Sequence, residues 1–403
     1  MNVYERPVND NLRLVVVETG KFSTSAYYFL FRVPPDWPIW FWSGMMDSLV
    51  AIHRLQRPDC LRWDRPEIFE HRVQEACYVG IKTESPSIGE PFGADESDSP
   101  VHFLLSVVCA PLLSQEAYVN WISLAPRKIA RRKLRATSAI DPVTSSLLRF
   151  LDTDGDRWGD ELLDRSFIVQ QYDHLVRNAS AFCYAIGTGD PAQNWKALQN
   201  WCGMRERQWA DVTAANRERT GVDPNVPDSV PGAETSDSNL IILPYRLAAM
   251  NPSLSDRISL QVANALLGGC FHSKLISRIR RELGLAYFSF SVWDQTTGTL
   301  LMVAGAEPES RDQVREEMVG QLHALQRGDF TDRDLQVTKR FLVSDAWYTM
   351  DDFDSIVSCH LNRVETGEPF EPERRAALIH HVTKQDVMKA VSFLEPVMKG
   401  GVI

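Results

Sequence analysis

The stretch from Leu266 to Tyr287 restricts the folds open to this chain more than any other. It contains the glycine pair Gly268 and Gly269, and paired glycines predict the end of a helix. A second helix is predicted from Ser273 to Gly284, because its apolar residues recur at helical spacing on one stripe. Those residues are Leu275, Ile276, Ile279 and Leu283. The chain is therefore expected to turn sharply twice within this short stretch.

A strand is predicted directly after the second turn, because the apolar spacing changes there from helical to alternating. Phe288, Phe290 and Val292 share one predicted face, and Tyr287 shares the other with small serines. We expect this second face to be open or wet. Arg280 is predicted at the rim of the apolar stripe of the preceding helix. The pattern thus brings Arg280 and Tyr287 together near a glycine turn, with neither in the core.

The same stretch resembles the second half of the pitrilysin-like (M16) zinc peptidases. The resemblance is strongest to the half-size M16B members that work as two-chain clamshells, such as the mitochondrial processing peptidase. The matching positions are Gly268, Gly269, Ser273, Leu275, Ile279, Arg280, Gly284, Leu285, Ala286 and Tyr287. The chain departs from the family pattern at Cys270, Lys274, Ile276 and Arg281.

The resemblance implies an α+β fold made of two similar half-domains, each an antiparallel sheet with helices packed on it, that forms a clamshell. We place the N-terminal half-domain at 1–210, a linker at 211–238, and the C-terminal half-domain at 239–403. The linker prediction rests on the polar, proline- and glycine-containing composition of this stretch. A length of 403 residues suits two domains.

Composition excludes several functional classes. The formal net charge of −10 argues against general nucleic-acid binding, which needs a basic surface. No apolar run approaches the roughly 18 residues that span a bilayer, and the first residues do not read as a secretion signal. The expected location is the cytoplasm. The 7 scattered cysteines include no Cys-x-x-Cys pair and are read as reduced thiols.

The zinc motif of the family is missing where the resemblance places it. M16 peptidases bind zinc through two histidines one helical turn apart, with a glutamate acting as the general base. The matching helix begins near Gly44, where Asp47, Val50 and Ala51 occupy the three positions. No acidic residue lies between Glu116 and Asp141 to act as a third ligand. We therefore predict no metal in this chain, with zinc carried by a partner subunit.

Other candidate sites give weaker signals. Glu67, Glu70 and His71 have a Glu-x-x-Glu-His spacing on a helix predicted to begin at Pro66, and are the alternative metal site. Cys270 and His272 lie close together beside a helix start, which can activate a thiol, although a buried structural cysteine is the favoured interpretation. The basic segment Arg127–Arg135 could face the chamber, a partner or solvent.

The function implied by the resemblance is that of a non-catalytic subunit in a heterodimeric zinc-dependent M16B endopeptidase. The substrate would be an extended peptide, held at Gly268, Gly269, Arg280 and Tyr287, as in peptide precursor or leader processing. Arg280 and Tyr287 would complete the active site of the partner by hydrogen bonding to the peptide. Two alternatives remain: a structural scaffold subunit without a role in proteolysis, and a self-sufficient peptidase with an atypical metal site. A homodimer is also compatible with the sequence.

Overall fold

The computed structural model describes residues 1–34, 38–56, 66–73, 76–85, 100–109, 111, 115–137, 160–187, 195, 198–199, 239–248, 252–295 and 298–397. The chain divides into two compact units. The N-terminal unit is formed mainly by Met1–His71, Ala76–Ser138 and Asp152–Glu234, and the C-terminal unit mainly by Thr235–Ile403. The predicted linker at 211–238 lies outside the described residues.

The N-terminal unit is built on a six-stranded sheet with the strand order β1-β2-β6-β3-β5-β4. Its strands are β1 (Asn2–Pro7), β2 (Leu12–Glu18), β3 (Ser25–Val33), β4 (Glu67–Val73), β5 (Ala76–Ser85) and β6 (Ala181–Gly187). Its α-helices among the described residues are α1 (Ile39–Gln56), α2 (Pro100–Val108), α3 (Gln115–Thr137) and α4 (Arg165–Asn178). The strands and helices give the α+β class expected from the sequence.

This first sheet is mixed, which corrects the expectation of a purely antiparallel sheet. β2 and β6 run parallel, with Leu12 opposite Ala181 and Glu18 opposite Gly187. β3 pairs antiparallel with both β5 and β6. A parallel pair requires a long crossover connection, and here the chain between β2 and β6 holds β3, β4, β5 and the four α-helices of the unit that the structure describes. Sequence alternation marks strands but does not specify the direction of a partner.

Helix α1 lies at the centre of the N-terminal core. Its apolar side chains Met45, Met46 and Leu49 are fully buried, as the helical spacing predicts. α1 packs against α3, and the buried indole N–H of Trp121 donates to the hydroxyl of Ser48 at 3.0 Å. These contacts fix the relative position of the two helices that carry the charged cluster described below.

The segment after Pro66 is strand β4, so the helix predicted there is wrong. β4 is an edge strand beside β5. Phe69 is buried and packs edge-on against Tyr28, with ring centroids 5.4 Å apart. Tertiary pairing and aromatic packing outweigh the local spacing of apolar residues, because strand propensity depends on what a residue packs against.

The C-terminal unit is built on a four-stranded antiparallel sheet with the strand order β10-β7-β9-β8. Its strands are β7 (Leu240–Leu247), β8 (Phe288–Asp294), β9 (Thr299–Gly305) and the short β10 (Leu394–Pro396). Its α-helices are α5 (Leu254–Asn264), α6 (Arg311–Gln326), α7 (Asp332–Tyr348), α8 (Phe353–Thr366), α9 (Pro372–His381) and α10 (Lys384–Ser392). Two π-helical segments, Ala265–Gly269 and Ile276–Glu282, lie between α5 and β8.

Helix starts in this unit follow local sequence signals. Ser253 and Asp256 have the sequence spacing of a capping box, and the box is present at the start of α5, where each side chain accepts a hydrogen bond from the backbone N–H of the other residue. The same arrangement begins α7 and α10, the latter with Thr383 and Asp386. Within the described part of the chain, no helix has the length and apolar character needed to cross a membrane.

Candidate functional site

The glycine pair lies in the first π-helical segment, Ala265–Gly269, at its closest approach to β8. A Cβ atom on Gly268 would lie 2.3 Å from the backbone nitrogen of Ser291, well inside a van der Waals contact. The Ser291 hydroxyl donates to Asn264 Oδ1 at 2.7 Å, which attaches the strand to the end of α5. Gly268 is buried and Gly269 is exposed. Gly268 therefore serves close packing against β8, and its role as a peptide contact stays a prediction.

The serine face of β8 is buried, so the expectation of an open, wet face is wrong. Ser289 and Ser291 are 2% and 4% exposed. The small side chains permit the π-helical segment to approach the strand closely. Small polar residues on a strand can thus mark a close helix contact as well as a cavity, and sequence alone does not separate the two.

Arg280 lies in the second π-helical segment, Ile276–Glu282. The N–H of Leu283 donates to the carbonyl of Arg278 at 3.1 Å, the wide bonding that defines a π-helix. The N–H of Leu285 donates to the Ile279 carbonyl at 3.0 Å, and Gly284 between them has φ +64°. Ile279 is buried and anchors the segment. Single π-turns are frequent at functional sites, because they redirect the side chains of a helix.

Arg280 is exposed, and its guanidinium makes no hydrogen bond or ion pair with any residue that the structure describes. The two arginines beside it are occupied. Arg278 pairs with Glu282 at 3.0 Å and Glu317 at 3.2 Å. Arg281 donates to the carbonyl oxygen of Phe271 at 2.8 Å. Arg280 is therefore the arginine of this segment that remains available to a ligand.

Tyr287 is also on the surface, just before β8. Its backbone N–H donates to Gly305 at 2.8 Å, and 59% of its surface is exposed. The phenol hydroxyl donates to the carboxylate of Glu307. This hydrogen bond raises the pKa of Tyr287 above its ordinary value, with smaller contributions from burial and the charges of Glu307 and Glu309. The structure thus places Arg280 and Tyr287 on the surface as expected, without a hydrogen bond between them.

Glu307 was not identified from the sequence. It lies 20 residues after Tyr287, beyond the β8–β9 hairpin. The sequence signal available was the pair of strand patterns at 287–293 and 299–305 around Gly298, which predicts a hairpin. Such a hairpin returns the end of β9 to the start of β8, where Tyr287 lies.

Cys270 has the geometry of a structural residue. Its Sγ atom lies 3.0 Å from the carbonyl oxygen of Ala265 and 3.3 Å from His272 Nε2. His272 Nε2 in turn lies 3.4 Å from the hydroxyl of Thr338. Burial raises the pKa of the Cys270 thiol, so the reactive thiolate is disfavoured. This geometry agrees with the favoured interpretation of a buried structural cysteine.

In the N-terminal unit, Arg132 joins two carboxylates. Its Nε atom lies 2.6 Å from Asp47 Oδ2, and its Nη1 atom lies 3.3 Å from Glu70 Oε1. The three side chains are 26%, 28% and 33% exposed, so solvent screens them only in part. Arg132 lies on α3, 85 residues after Asp47 on α1 and 62 residues after Glu70 on β4. We call these three residues the Arg132 cluster.

The Arg132 cluster does not fit the zinc ion implied by the family resemblance. Of the three positions matched to the zinc motif, Val50 and Ala51 have no ligating atom. Asp47, the third, already accepts a hydrogen bond from a guanidinium. In the part of the chain that the structure describes, no group of three or more His, Cys, Asp or Glu side chains is placed to hold a metal. The guanidinium of Arg132 lies against the Asp47 carboxylate, which a metal ion would need as a free ligand.

The alternative metal site at Glu67, Glu70 and His71 assumed that these residues lie on a helix, and they do not. These residues lie on β4, where neighbouring side chains point to opposite faces. Glu67 pairs with Lys82 at 3.3 Å, and Glu70 pairs with Arg132. Side chains that would converge on one face of a helix are therefore separated on this strand.

Comparison with known families supports the assignment of the C-terminal unit. Residues 235–342 match the family model described as "Peptidase M16 inactive domain". This segment contains Gly268, Gly269, Arg280 and Tyr287. This part of the C-terminal unit is thus similar to the M16 inactive domain, in the same stretch that carries the resemblance in the sequence.

Individual proteins are also similar to this chain in sequence or in fold. The chain is 26% identical over 224 residues to "Probable inactive metalloprotease YmfF" of Bacillus subtilis (strain 168), a match that covers 55% of this chain and about half, 51%, of that relative. A conserved protein from Enterococcus faecalis V583 has a TM-score of 0.70 at 15% identity, covering 98% of this chain and 97% of that one. The peptidase M16 inactive domain from Pseudomonas fluorescens has a TM-score of 0.65 at 13% identity, covering 98% and 96%. The fold is therefore M16-like.

Proposed function

We propose that this chain is the non-catalytic subunit of a heterodimeric zinc-dependent M16B endopeptidase. In this proposal it binds an extended peptide and supplies Arg280 and Tyr287 to the active site of the partner. The observation that carries the proposal is the exposed guanidinium of Arg280, which has no partner among the described residues and lies in a π-helical segment that matches the M16 inactive-domain model. The Arg132 cluster supports the non-catalytic part, because it does not fit a metal ion.

The chemistry suits the two side chains. A zinc ion held by the partner would supply the activated water. Arg280 and the Tyr287 hydroxyl can both donate hydrogen bonds to a peptide carbonyl oxygen, and these strengthen as that oxygen gains negative charge. A charged donor gives the stronger of the two contacts, since charge-assisted hydrogen bonds are roughly twice as strong as neutral ones. The chain then acts by holding and polarising the substrate.

Glu307 adds a further step to this proposal. In the free chain the Tyr287 hydroxyl donates to the Glu307 carboxylate. A bound peptide carbonyl would compete for the same proton, so the hydroxyl must turn away from Glu307 to serve the substrate. Glu307 thus holds the phenol in place before the peptide arrives. Gly269, which is exposed, remains a proposed peptide contact.

The test is to purify the chain, measure its zinc content, and assay peptide hydrolysis alone and after mixing with a chain that carries the His-x-x-Glu-His motif. We expect neither zinc nor turnover in the chain alone, and turnover in the mixture. Arg280→Ala and Tyr287→Phe should each reduce kcat in the mixture by about 10²- to 10³-fold, the typical effect of removing one such donor. Arg281→Ala is the matched control, because its side chain is already bonded to the Phe271 carbonyl.

Three outcomes would contradict parts of the proposal. Stoichiometric zinc and turnover in the chain alone would indicate a self-sufficient peptidase. An active mixture in which Arg280→Ala and Tyr287→Phe have no effect would indicate a scaffold subunit. Equal losses for Arg281→Ala and Arg280→Ala would show that positive charge in general, and not the Arg280 contact, supports turnover.

A further inference from the structure

Phe271 is the most exposed large apolar side chain among the described residues, and the proposed function does not use it. Its surface is 80% exposed, compared with 70% for Tyr348 and 66% for Leu55. A ring of this size gains free energy when a contact removes it from water. Single exposed apolar residues are common on protein surfaces, and Phe271 differs from them in how it is held and in what lies beside it.

The two neighbours of Phe271 fix the direction of its side chain. Cys270 is only 4% exposed. His272 is half-buried, with its Nε2 atom 3.4 Å from the Thr338 hydroxyl and its ring edge-on to Phe341 of α7, the ring centroids being 6.3 Å apart. Because contacts hold both neighbours against the protein, the Phe271 ring points into solvent. A ring held in this way loses little conformational freedom when a ligand covers it.

Phe271 also lies beside the contacts proposed for the peptide. The Nη2 atom of Arg281 donates to the Phe271 carbonyl oxygen at 2.8 Å, and Arg281 directly follows Arg280 in the chain. The exposed Gly269 lies two residues before Phe271. Consecutive Cα atoms are about 3.8 Å apart, and an extended peptide advances about 3.3 Å per residue. A peptide whose carbonyl is bound by Arg280 therefore reaches the Phe271 ring with a side chain a few residues away.

We infer that Phe271 binds a large apolar side chain of the substrate peptide, a few residues from the carbonyl that Arg280 holds. This inference rests on the proposed function, in which an extended peptide is the ligand, and it adds the class of peptide that is preferred. An aromatic or large aliphatic side chain covers the ring and removes both surfaces from water, and an aromatic one adds an edge-to-face or offset-stacked contact. A small polar side chain leaves the ring exposed.

Arg280 and Phe271 supply different kinds of contact to the peptide. The guanidinium binds a backbone carbonyl, which every residue has, so this contact carries no preference for sequence. The ring contacts a side chain, so it selects among peptides. Because that side chain lies away from the reacting carbonyl, its contact is the same before and during the reaction. Loss of the ring is therefore expected to change KM more than kcat.

The experiment measures peptide binding by fluorescence anisotropy, to the full-length chain alone and to its mixture with a zinc-motif subunit. The general-base glutamate of that subunit is replaced by glutamine, so that the peptide binds without being cleaved. The probes are labelled extended peptides that are polar except at one position, which holds phenylalanine, leucine or serine and is moved along the peptide one residue at a time. The test variants are Phe271→Ser and Phe271→Leu. The control variant is Tyr348→Ser, which removes a similarly exposed ring at the end of α7.

At one position of the series, we expect the phenylalanine peptide to bind the wild type about tenfold more tightly than the serine peptide, with the leucine peptide between them. Phe271→Ser should abolish this difference, Phe271→Leu should retain part of it, and Tyr348→Ser should leave it unchanged. With an active partner, Phe271→Ser should raise KM for the phenylalanine peptide by about tenfold and change kcat by less than about threefold. Arg280→Ala should instead lower kcat.

Equal affinity of the wild type for the phenylalanine and serine peptides at every position would overturn the inference, and so would equal losses in Phe271→Ser and Tyr348→Ser. A Phe271→Ser chain that no longer assembles with the zinc-motif subunit but still distinguishes the peptides would show that the ring contacts the partner instead. Turnover that depends on Arg280 without any preference for an apolar side chain would overturn this inference and leave the proposed function standing. Peptide discrimination that depends on Phe271 without turnover in the mixture would do the reverse.

Discussion

The Nε atom of Arg132 donates to Oδ2 of Asp47 across 2.6 Å, joining helices α3 and α1 through two residues that are 85 apart in sequence. The same guanidinium contacts Glu70 on the edge strand β4. One side chain therefore connects α1, α3 and β4. The guanidinium of Arg132 thus lies against both carboxylates as a covalently attached cation.

The first prediction concerns this ion pair. Arg132→Met preserves much of the side-chain length and removes the charge, which leaves Asp47 and Glu70 without their shared cation. We expect the free energy of unfolding to fall by about 1–2 kcal/mol, between the values for exposed ion pairs and for hydrogen bonds to charged groups. Urea unfolding followed by tryptophan fluorescence measures the change.

Arg131→Met is the matched control for that measurement. Arg131 is the next residue on α3, and it is exposed without a partner among the described residues. Its removal should change stability by no more than about 0.5 kcal/mol. If both variants lose the same stability, the Arg132 cluster does not contribute as the geometry indicates.

The second prediction concerns the close approach of the π-helical segment to β8. Gly268→Ala places a Cβ atom 2.3 Å from the Ser291 nitrogen, and backbone cannot move aside as a flexible side chain can. Overpacking of this kind costs about 1–3 kcal/mol. Thermal unfolding of the variant should show a lower Tm.

Gly320→Ala is the control, and we expect it to raise the stability that Gly268→Ala lowers. Gly320 lies within α6, and a Cβ atom there would meet no atom within 4 Å. Alanine is more favourable than glycine inside a helix by about 0.5–1 kcal/mol, so this variant should melt at a higher temperature. A Gly268→Ala protein as stable as the wild type would show that the segment can move away from β8.

The third prediction concerns the hydrogen bond between Tyr287 and Glu307. The carboxylate stabilises the protonated phenol and opposes phenolate formation, so it raises the pKa of Tyr287. Glu307→Gln removes the negative charge and should shift the pKa of Tyr287 back towards its ordinary value. Titration of ¹³C-labelled tyrosine by NMR measures this shift.

Glu309→Gln tests whether the effect is specific to Glu307. The charge of Glu309 contributes less to the raised pKa than Glu307 does. We therefore expect the shift in the Glu309 variant to be the smaller of the two. A larger shift in the Glu309 variant would contradict the hydrogen bond as the main cause.

The fourth prediction concerns pH and the helix caps of the C-terminal unit. Hydrogen bonds from the Thr383 side chain and backbone lower the pKa of Asp386. Its contribution to stability is present above the pKa of the unfolded chain, about 4, and is lost as pH falls through the lower folded value. Asp386→Asn should lower stability by about 1 kcal/mol at neutral pH and make unfolding less dependent on pH below about 5.

Urea unfolding between neutral and acidic pH measures the effect of that substitution. Asp312→Asn on α6 is the control, because the Asp312 carboxylate makes no hydrogen bond with a described residue. It should leave the pH dependence closer to that of the wild type. A wild-type protein that gains stability on acidification would contradict the sign of the predicted effect.

Features set by neighbouring residues could be predicted from the sequence. The capping box of Ser253 and Asp256, the turn at Gly284 and the β8–β9 hairpin are all present in the structure. Each depends on backbone geometry and hydrogen bonds within a few residues, which a single short pattern encodes. The buried stripe of α1 follows for the same reason, because helical spacing alone determines which side chains share a face.

The remaining features depend on contacts between distant parts of the chain. β4 is a strand because Phe69 packs on Tyr28 beside β5, and local spacing gave no sign of that partner. Only the folded chain brings Glu307 to the hydroxyl of Tyr287.

The sequence by itself determined the α+β class, the helix caps and turns, and the M16-like stretch that holds Arg280 and Tyr287. The tertiary structure alone decided that Arg132 lies against Asp47 and Glu70, and that Gly268 packs on Ser291. The physical reason is the range of the interactions. Backbone hydrogen bonds and periodicity act within a few residues, whereas ion pairs and close packing depend on which distant surfaces meet when the core is buried.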